Sequence, residues 1–187
     1  MPRWSPDAAL RLEAAAIDLF EGQGFADTTV PQIAAKAGLT TRTFFRHFAD
    51  KRDALFLRER EFPEAVSDFL QTVPSGSSPV ATVRMGLAEA CRGIQGWREQ
   101  VARRQAIIRS EPALQERDLL RSHHLGAAIE VSLTDRGVDG RQAHALAAVA
   151  VTCFELALDR WLASAQDAAL EDVLATVWVD VRTALDG

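Results

Sequence analysis

With 187 residues the chain can hold a sizeable core, either one compact domain beside a smaller one or a single larger domain. Its 48% hydrophobic and 25% charged residues are ordinary for a globular protein, which argues against a disordered or fibrous chain. No apolar run reaches the length of a membrane span, and Met1-Pro2-Arg3-Trp4-Ser5 is no signal peptide, so a cytoplasmic protein is expected. Cys91 and Cys153 are far apart and follow no ligand or disulfide pattern, so two buried thiols are expected.

Ser5-Pro6-Asp7 predicts a helix start: a capping hydroxyl, a proline where no amide hydrogen is needed and an acid at the positive end of the dipole. Leu12, Ala16, Leu19 and Phe20 follow at helical spacing, and Gly22 and Gly24 close the element. After the connector Phe25 to Thr28, Thr29 and Gln32 form a capping-box pattern opening a second helix over Val30 to Ala37, with Pro31 tolerated in its first turn and Gly38 ending it.

Thr40 then caps a third helix, Leu39 to Phe48, with its functional groups on separate faces. Phe44 and Phe48 share one side, while Thr41, Arg42, Phe45 and Arg46 share the other. Two short helices joined by a tight glycine turn make a helix-turn-helix, and Ala34 and Ala37 are small enough for the helices to cross closely. The second helix of such a pair enters the DNA major groove. The net charge of −5 hides a basic head: Arg42, Arg46, Lys51, Arg52, Arg58 and Arg60 outnumber Asp50, Asp53 and Glu59, and acids dominate beyond.

Asp50 predicts the cap of a fourth helix from Lys51, with Leu55 and Phe56 turned inward; Pro63 either kinks that run or splits it. Pro74 to Pro79 is a surface connection. Helical patterns then run over Val80–Arg92, Trp97–Arg109, Pro112–Thr134, Arg141–Ala163 and Ala168–Leu185, with a turn at Asp135 to Gly140 and no alternating stretch that would mark a strand. The expected class is all-α: a helix-turn-helix head over residues 1–50 and a helical body over 51–187, the helix from Lys51 linking them.

The alanine-rich run from Ala143 to Leu158 is apolar almost all round, as in a helix buried on several sides. Leu170, Val173, Leu174, Val177, Trp178, Val181 and Leu185 repeat at heptad-like spacing, and Leu170, Val173, Val177, Trp178 and Val181 are assigned to a subunit interface. A symmetric homodimer would present two heads to a palindromic operator. Trp97, Ile108, Leu120, His123, Phe154, Leu158 and Trp161 offer apolar surface for a small-molecule pocket, although each also suits plain core. The adjacent His123 and His124 point apart on a helix and are poorly placed to share a metal. No Gly-rich phosphate loop, His-Glu metal motif or nucleophile elbow is present, so neither an enzyme nor a cofactor is expected.

Phe20, Gly24-Phe25, Thr28-Thr29-Val30, Ile33-Ala34, Ala37-Gly38-Leu39-Thr40, Thr43-Phe44-Phe45, Phe48 and Lys51 together resemble the N-terminal signature of the TetR family of repressors. The resemblance covers roughly the first third of the chain. It implies a regulator with a ligand-binding, dimerising helical body. It also implies a phosphate contact at Thr29, approach to the groove by Thr40 and Thr41, and a backbone contact at Lys51. Phe45 departs from the tyrosine that many members carry; it cannot donate to phosphate, which leaves sugar or a thymine methyl as its partner. Arg42 is larger than the glycine common there. From chemistry alone Arg42 and Arg46 suit guanine edges or phosphates equally, and His47 suits a phosphate or open solvent. The expected function is a DNA-binding repressor released by a small, largely apolar effector; the alternative is a helical interaction module that has lost DNA binding.

Overall fold

The computed structural model describes residues 6–57, 62–164 and 168–186. Ser5 as a helix cap, the basic residues Arg58 and Arg60, and the side chain of Leu185 lie outside that description. Among the described residues the order is α1 (Pro6–Gln23), α2 (Val30–Lys36), α3 (Thr41–His47), a 3-10 turn (Asp53–Phe56), α4 (Phe62–Thr72), α5 (Pro79–Ile94), a second 3-10 turn (Gln95–Trp97), α6 (Arg98–Ser110), α7 (Pro112–Asp135), α8 (Gly140–Ala163) and α9 (Leu170–Asp186). The protein is all-α, with no strand among these residues. None of these helices is long and apolar enough to cross a membrane.

Over residues 51–57 the helix expected from Lys51 is instead a short 3-10 turn, and Pro63 lies in α4. Asp50 does cap the turn: its Oδ1 accepts the Asp53 N–H at 3.0 Å. Burial alone would raise the Asp50 pKa, but the Arg52 guanidinium and the Asp53 N–H outweigh it and hold the carboxyl below its usual value.

The chain folds as two compact units, and sequence order does not separate them. The first holds the described residues through 57 together with Glu99–Asp118. Its core gathers Leu12, Ala16 and Phe20 of α1, Ile33 of α2, Phe44 and Phe48, then Ala54, Leu55 and Phe56 of the turn, and finally Ile107, Ile108 and Leu114 from far along the chain. Residues 99–118 are also tied in by charge. Arg103 donates to Asp18 at 2.8 Å and to both oxygens of Glu21, and Lys36 reaches Asp18 at 3.3 Å. The Arg103 contact is the largest cause of a lowered Asp18 pKa.

The second unit runs from 62 to Arg98 and from Leu119 onward. Trp161, near the end of α8, is fully buried. Its indole N–H donates to Ala168 O at 3.0 Å, while the Arg98 guanidinium lies 5.6 Å from the ring and donates to Trp161 O at 2.7 Å. Cation and ring thereby close the C-terminal end of α8, where free carbonyls collect. Arg136 does the same for α4, donating to Leu70 O, Val73 O and Pro74 O at 3.0–3.1 Å. Cys91 and Cys153 are both free and buried, and burial pushes the Cys91 thiol up to about 12.

Gly86 lets α5 approach α4: a Cβ there would stand 2.7 Å from Leu70 Cδ2, and Leu70 is itself buried. A Gly86→Ala change therefore meets an overpacking cost of about 1–3 kcal/mol, against a helix-propensity gain of about 1 kcal/mol. We expect a lower melting temperature for Gly86→Ala, and partial recovery when Leu70→Val makes room, both read by thermal unfolding. Additive losses from the two changes would show that the close contact is not limiting.

Candidate nucleic-acid interface

α2 and α3 are each seven residues long, too short to be stable alone, so their ends and one buried face must be held. At the start of α2 the capping box is complete. Thr29 N–H donates to Gln32 Oε1 at 2.8 Å and Gln32 N–H donates to Thr29 Oγ1 at 3.4 Å. At its end the Gly38 N–H reaches Ala35 O at 3.0 Å and the Leu39 N–H reaches Ala34 O at 2.8 Å, a reversal that needs the positive φ of 66° at Gly38. Arg11 of α1 donates to Ala37 O at 2.5 Å and secures the same corner.

α3 starts at Thr40, whose Oγ1 accepts the Thr43 N–H at 3.1 Å. Ile33, Ala34, Phe44 and Phe48 are buried beneath the pair, and the Phe44 and Phe48 rings meet at 5.3 Å and 49°. Thr40, Thr41, Arg42, Phe45 and Arg46 are left exposed on the other side. Phe45 is 60% exposed, an unusual state for a phenyl ring, and the edge of its stack on Phe44 (5.6 Å, 85°) braces it there.

Two residues assigned to this surface have other surroundings. Lys51 donates to Phe25 O at 2.6 Å, Ala26 O at 3.2 Å and Thr28 O at 2.8 Å, and its ammonium sits 4.2 Å from the Phe25 ring centroid. With three donors on three carbonyls, its place is that of a staple on the α1–α2 connector. His47 is half-buried; burial first, and the charge of Arg46 second, lower its pKa, so the neutral imidazole is favoured. Local spacing does not reveal the Lys51 partners, which lie more than twenty residues earlier in the chain.

The residues assigned to a pocket do not come together. Ile108 belongs to the core of the first unit with Leu12 and Phe44. Trp97, Leu120 and His123 are exposed, whereas Phe154, Leu158 and Trp161 are packed inside the second unit. Side-chain size alone does not say which helix face looks inward. The second unit instead shows open hollows. One of about 330 Å³ lies between α5 and α9, lined by Met85, Glu171, Leu174 and Trp178 among others. Another, of about 460 Å³, is bordered by Val80, Leu146, Val149, Trp178 and Val181. A polar cleft of about 580 Å³ lies by the 75–79 and 135–139 loops.

The terminal helices likewise divide their apolar residues between two faces. Leu170, Leu174 and Val177 are buried within the chain, so Leu170 and Val177 are core and not surface. Val173, Trp178 and Val181 are half-buried, beside the 49% exposed Val179. α8 is not buried all round: Ala143, Ala147, Ala150 and Phe154 face inward, but Ala145, Ala148 and Leu156 are exposed.

Comparison with known proteins fits this geometry. The profile of the family "Bacterial regulatory proteins, tetR family" matches residues 12–58. The HTH-type transcriptional regulator TcmR of Streptomyces glaucescens is 40% identical over 65 residues, which are 35% of this chain and 29% of that protein's length. Among solved structures, the SmeT–triclosan complex superposes with a TM-score of 0.65 at 18% identity, covering 92% of this chain and 90% of that one. Thermus thermophilus FadR, a TetR-family transcriptional repressor in complex with lauroyl-CoA, gives 0.56 at 20% identity and covers 91% of each chain. At these identities the structural likeness is one of fold.

Proposed function

We propose that this chain, whose residues 12–58 match the profile of the tetR family of bacterial regulatory proteins, is a sequence-specific, DNA-binding transcriptional repressor. The observation that carries this reading is α3 itself: Phe44 and Phe48 anchor it from below, and Arg42, Phe45 and Arg46 stand clear above. In the major groove a guanidinium can donate twice to a guanine edge, while Thr29, Thr40 and Thr41 line the approach to flanking phosphates. Lys51 supports this surface from behind by holding the connector.

The body acts as dimeriser and sensor in this proposal. The exposed apolar faces of α8 and α9, with Leu156, Trp178, Val179 and Val181, suit a second copy and hence a palindromic operator. A Val179→Glu variant should shift the chain from dimer to monomer in sedimentation velocity without lowering its melting transition at high concentration, and an unchanged dimer would remove this face from the interface. A small, largely apolar effector would bind the body and oppose DNA binding reciprocally. Triclosan in one neighbouring structure is a ligand of that class, and lauroyl-CoA in another carries an apolar acyl chain on a charged coenzyme.

The direct test is selection from random duplex DNA, followed by anisotropy titration of the selected sequence at two salt concentrations. Tight binding that weakens steeply with salt is expected, since phosphate contacts release counterions. Recovery of no preferred sequence would defeat the proposal.

A further inference from the structure

Arg117 lies near the start of α7, 59 positions beyond the end of the segment that matches the family profile (117 − 58). It nevertheless belongs to the same compact unit as α3. Its Nη2 donates to Oδ1 of Asp53, whose side chain is 3% exposed, and its guanidinium lies 5.9 Å from the centroid of the Phe56 ring. The other oxygen of the same carboxylate, Oδ2, accepts the Ala49 N–H at 2.9 Å. Ala49 directly follows Phe48, the C-cap of α3. One buried carboxylate thus joins the exit of the exposed helix to the beginning of α7.

Removing the Arg117 guanidinium takes a charged donor from Oδ1 of Asp53, which leaves the carboxylate freer to turn and loosens the hold of Oδ2 on the Ala49 N–H. α3 has seven residues, too few to hold its ends without help beyond the buried face of Phe44 and Phe48. Thr40 holds the first end and Asp53 the chain that leaves the second. Arg103, Ile107, Ile108 and Leu114 keep residues 99–118 in place independently, so loss of the Arg117 charge is a local change.

We propose that Arg117 is a positioning residue for operator recognition: it fixes Asp53, and Asp53 fixes the end of α3 and so the angle at which Arg42, Phe45 and Arg46 meet the groove. This rests on α3 being the recognition helix. The test uses the full chain, the duplex selected by the wild type, and the variants Arg117→Met, which keeps the stem, and Arg117→Lys, which keeps the charge. Arg117→Met should bind about tenfold more weakly or worse, with the slope of log affinity against log salt unchanged because no phosphate contact has been removed. Arg117→Lys should recover part of the affinity. Amide exchange at Ala49 should quicken in Arg117→Met and return toward the wild-type rate in Arg117→Lys. Wild-type affinity in Arg117→Met overturns the proposal, and so does a salt slope reduced by about one, which would make Arg117 a phosphate contact in its own right. If the wild type selects no duplex, the recognition reading fails and takes the proposal with it, whereas faster exchange at Ala49 would still show the Asp53 link to be real.

Discussion

An Arg42→Ala, Arg46→Ala double variant is expected to lose about 30-fold to about 10⁴-fold in affinity for the selected operator. Each guanidinium that reads a base edge contributes about 1–3 kcal/mol of discrimination, and about 1.4 kcal/mol is a factor of ten. Both side chains are exposed, so the fold and its melting transition should stay as they are. The single variants then separate two roles that chemistry leaves equal. Loss of a base-reading arginine flattens the preference for operator over scrambled DNA, whereas loss of a phosphate-holding one weakens both alike and lowers the salt slope by about one. A double variant that binds as tightly as wild type would show that this face does not meet DNA.

Phe44→Ala is the complementary case, in which the expected loss comes through the fold. Phe44 has no exposed surface and packs against Phe45 and Phe48, so the truncation should cost about 3–5 kcal/mol. That is a large part of the stability of an ordinary domain, about 5–15 kcal/mol. Thermal unfolding should show the loss, with Phe44→Leu much milder. Phe45→Ala, one residue on and 60% exposed, should change stability by no more than about 0.5 kcal/mol. Equal losses at both positions would contradict the division of α3 into a buried and a presented face.

That division was legible from spacing, because Phe44 and Phe48 four residues apart leave few alternatives for a short helix. The caps at Thr29 and Thr40 and the reversal at Gly38 were legible too, since each depends on residues within three or four positions. What could not be read depended on distant chain. Lys51 meets carbonyls more than twenty residues earlier. Asp53 meets a guanidinium 64 positions away. Ile108, read as pocket, fills a core begun by Leu12. Residue type predicted that these groups needed partners, and only the fold supplied which. The faces of α8 and α9 were ambiguous for another reason: their apolar residues go nearly all round, so the period no longer points in one direction.

The interleaving of the first unit bears on the order in which a nascent chain matures. A ribosome releases residues 6–57 long before Ile107, Ile108 and Leu114, at about 5–20 residues per second. Until then the early helices have their caps but lack part of their core, and the buried Asp53 carboxylate still awaits Arg117. A half-made chain therefore presents the exposed residues of α3 without part of the packing beneath them. Competence to engage DNA should arise only after synthesis has passed into α7, so that truncated or abandoned translation products compete little with the finished protein.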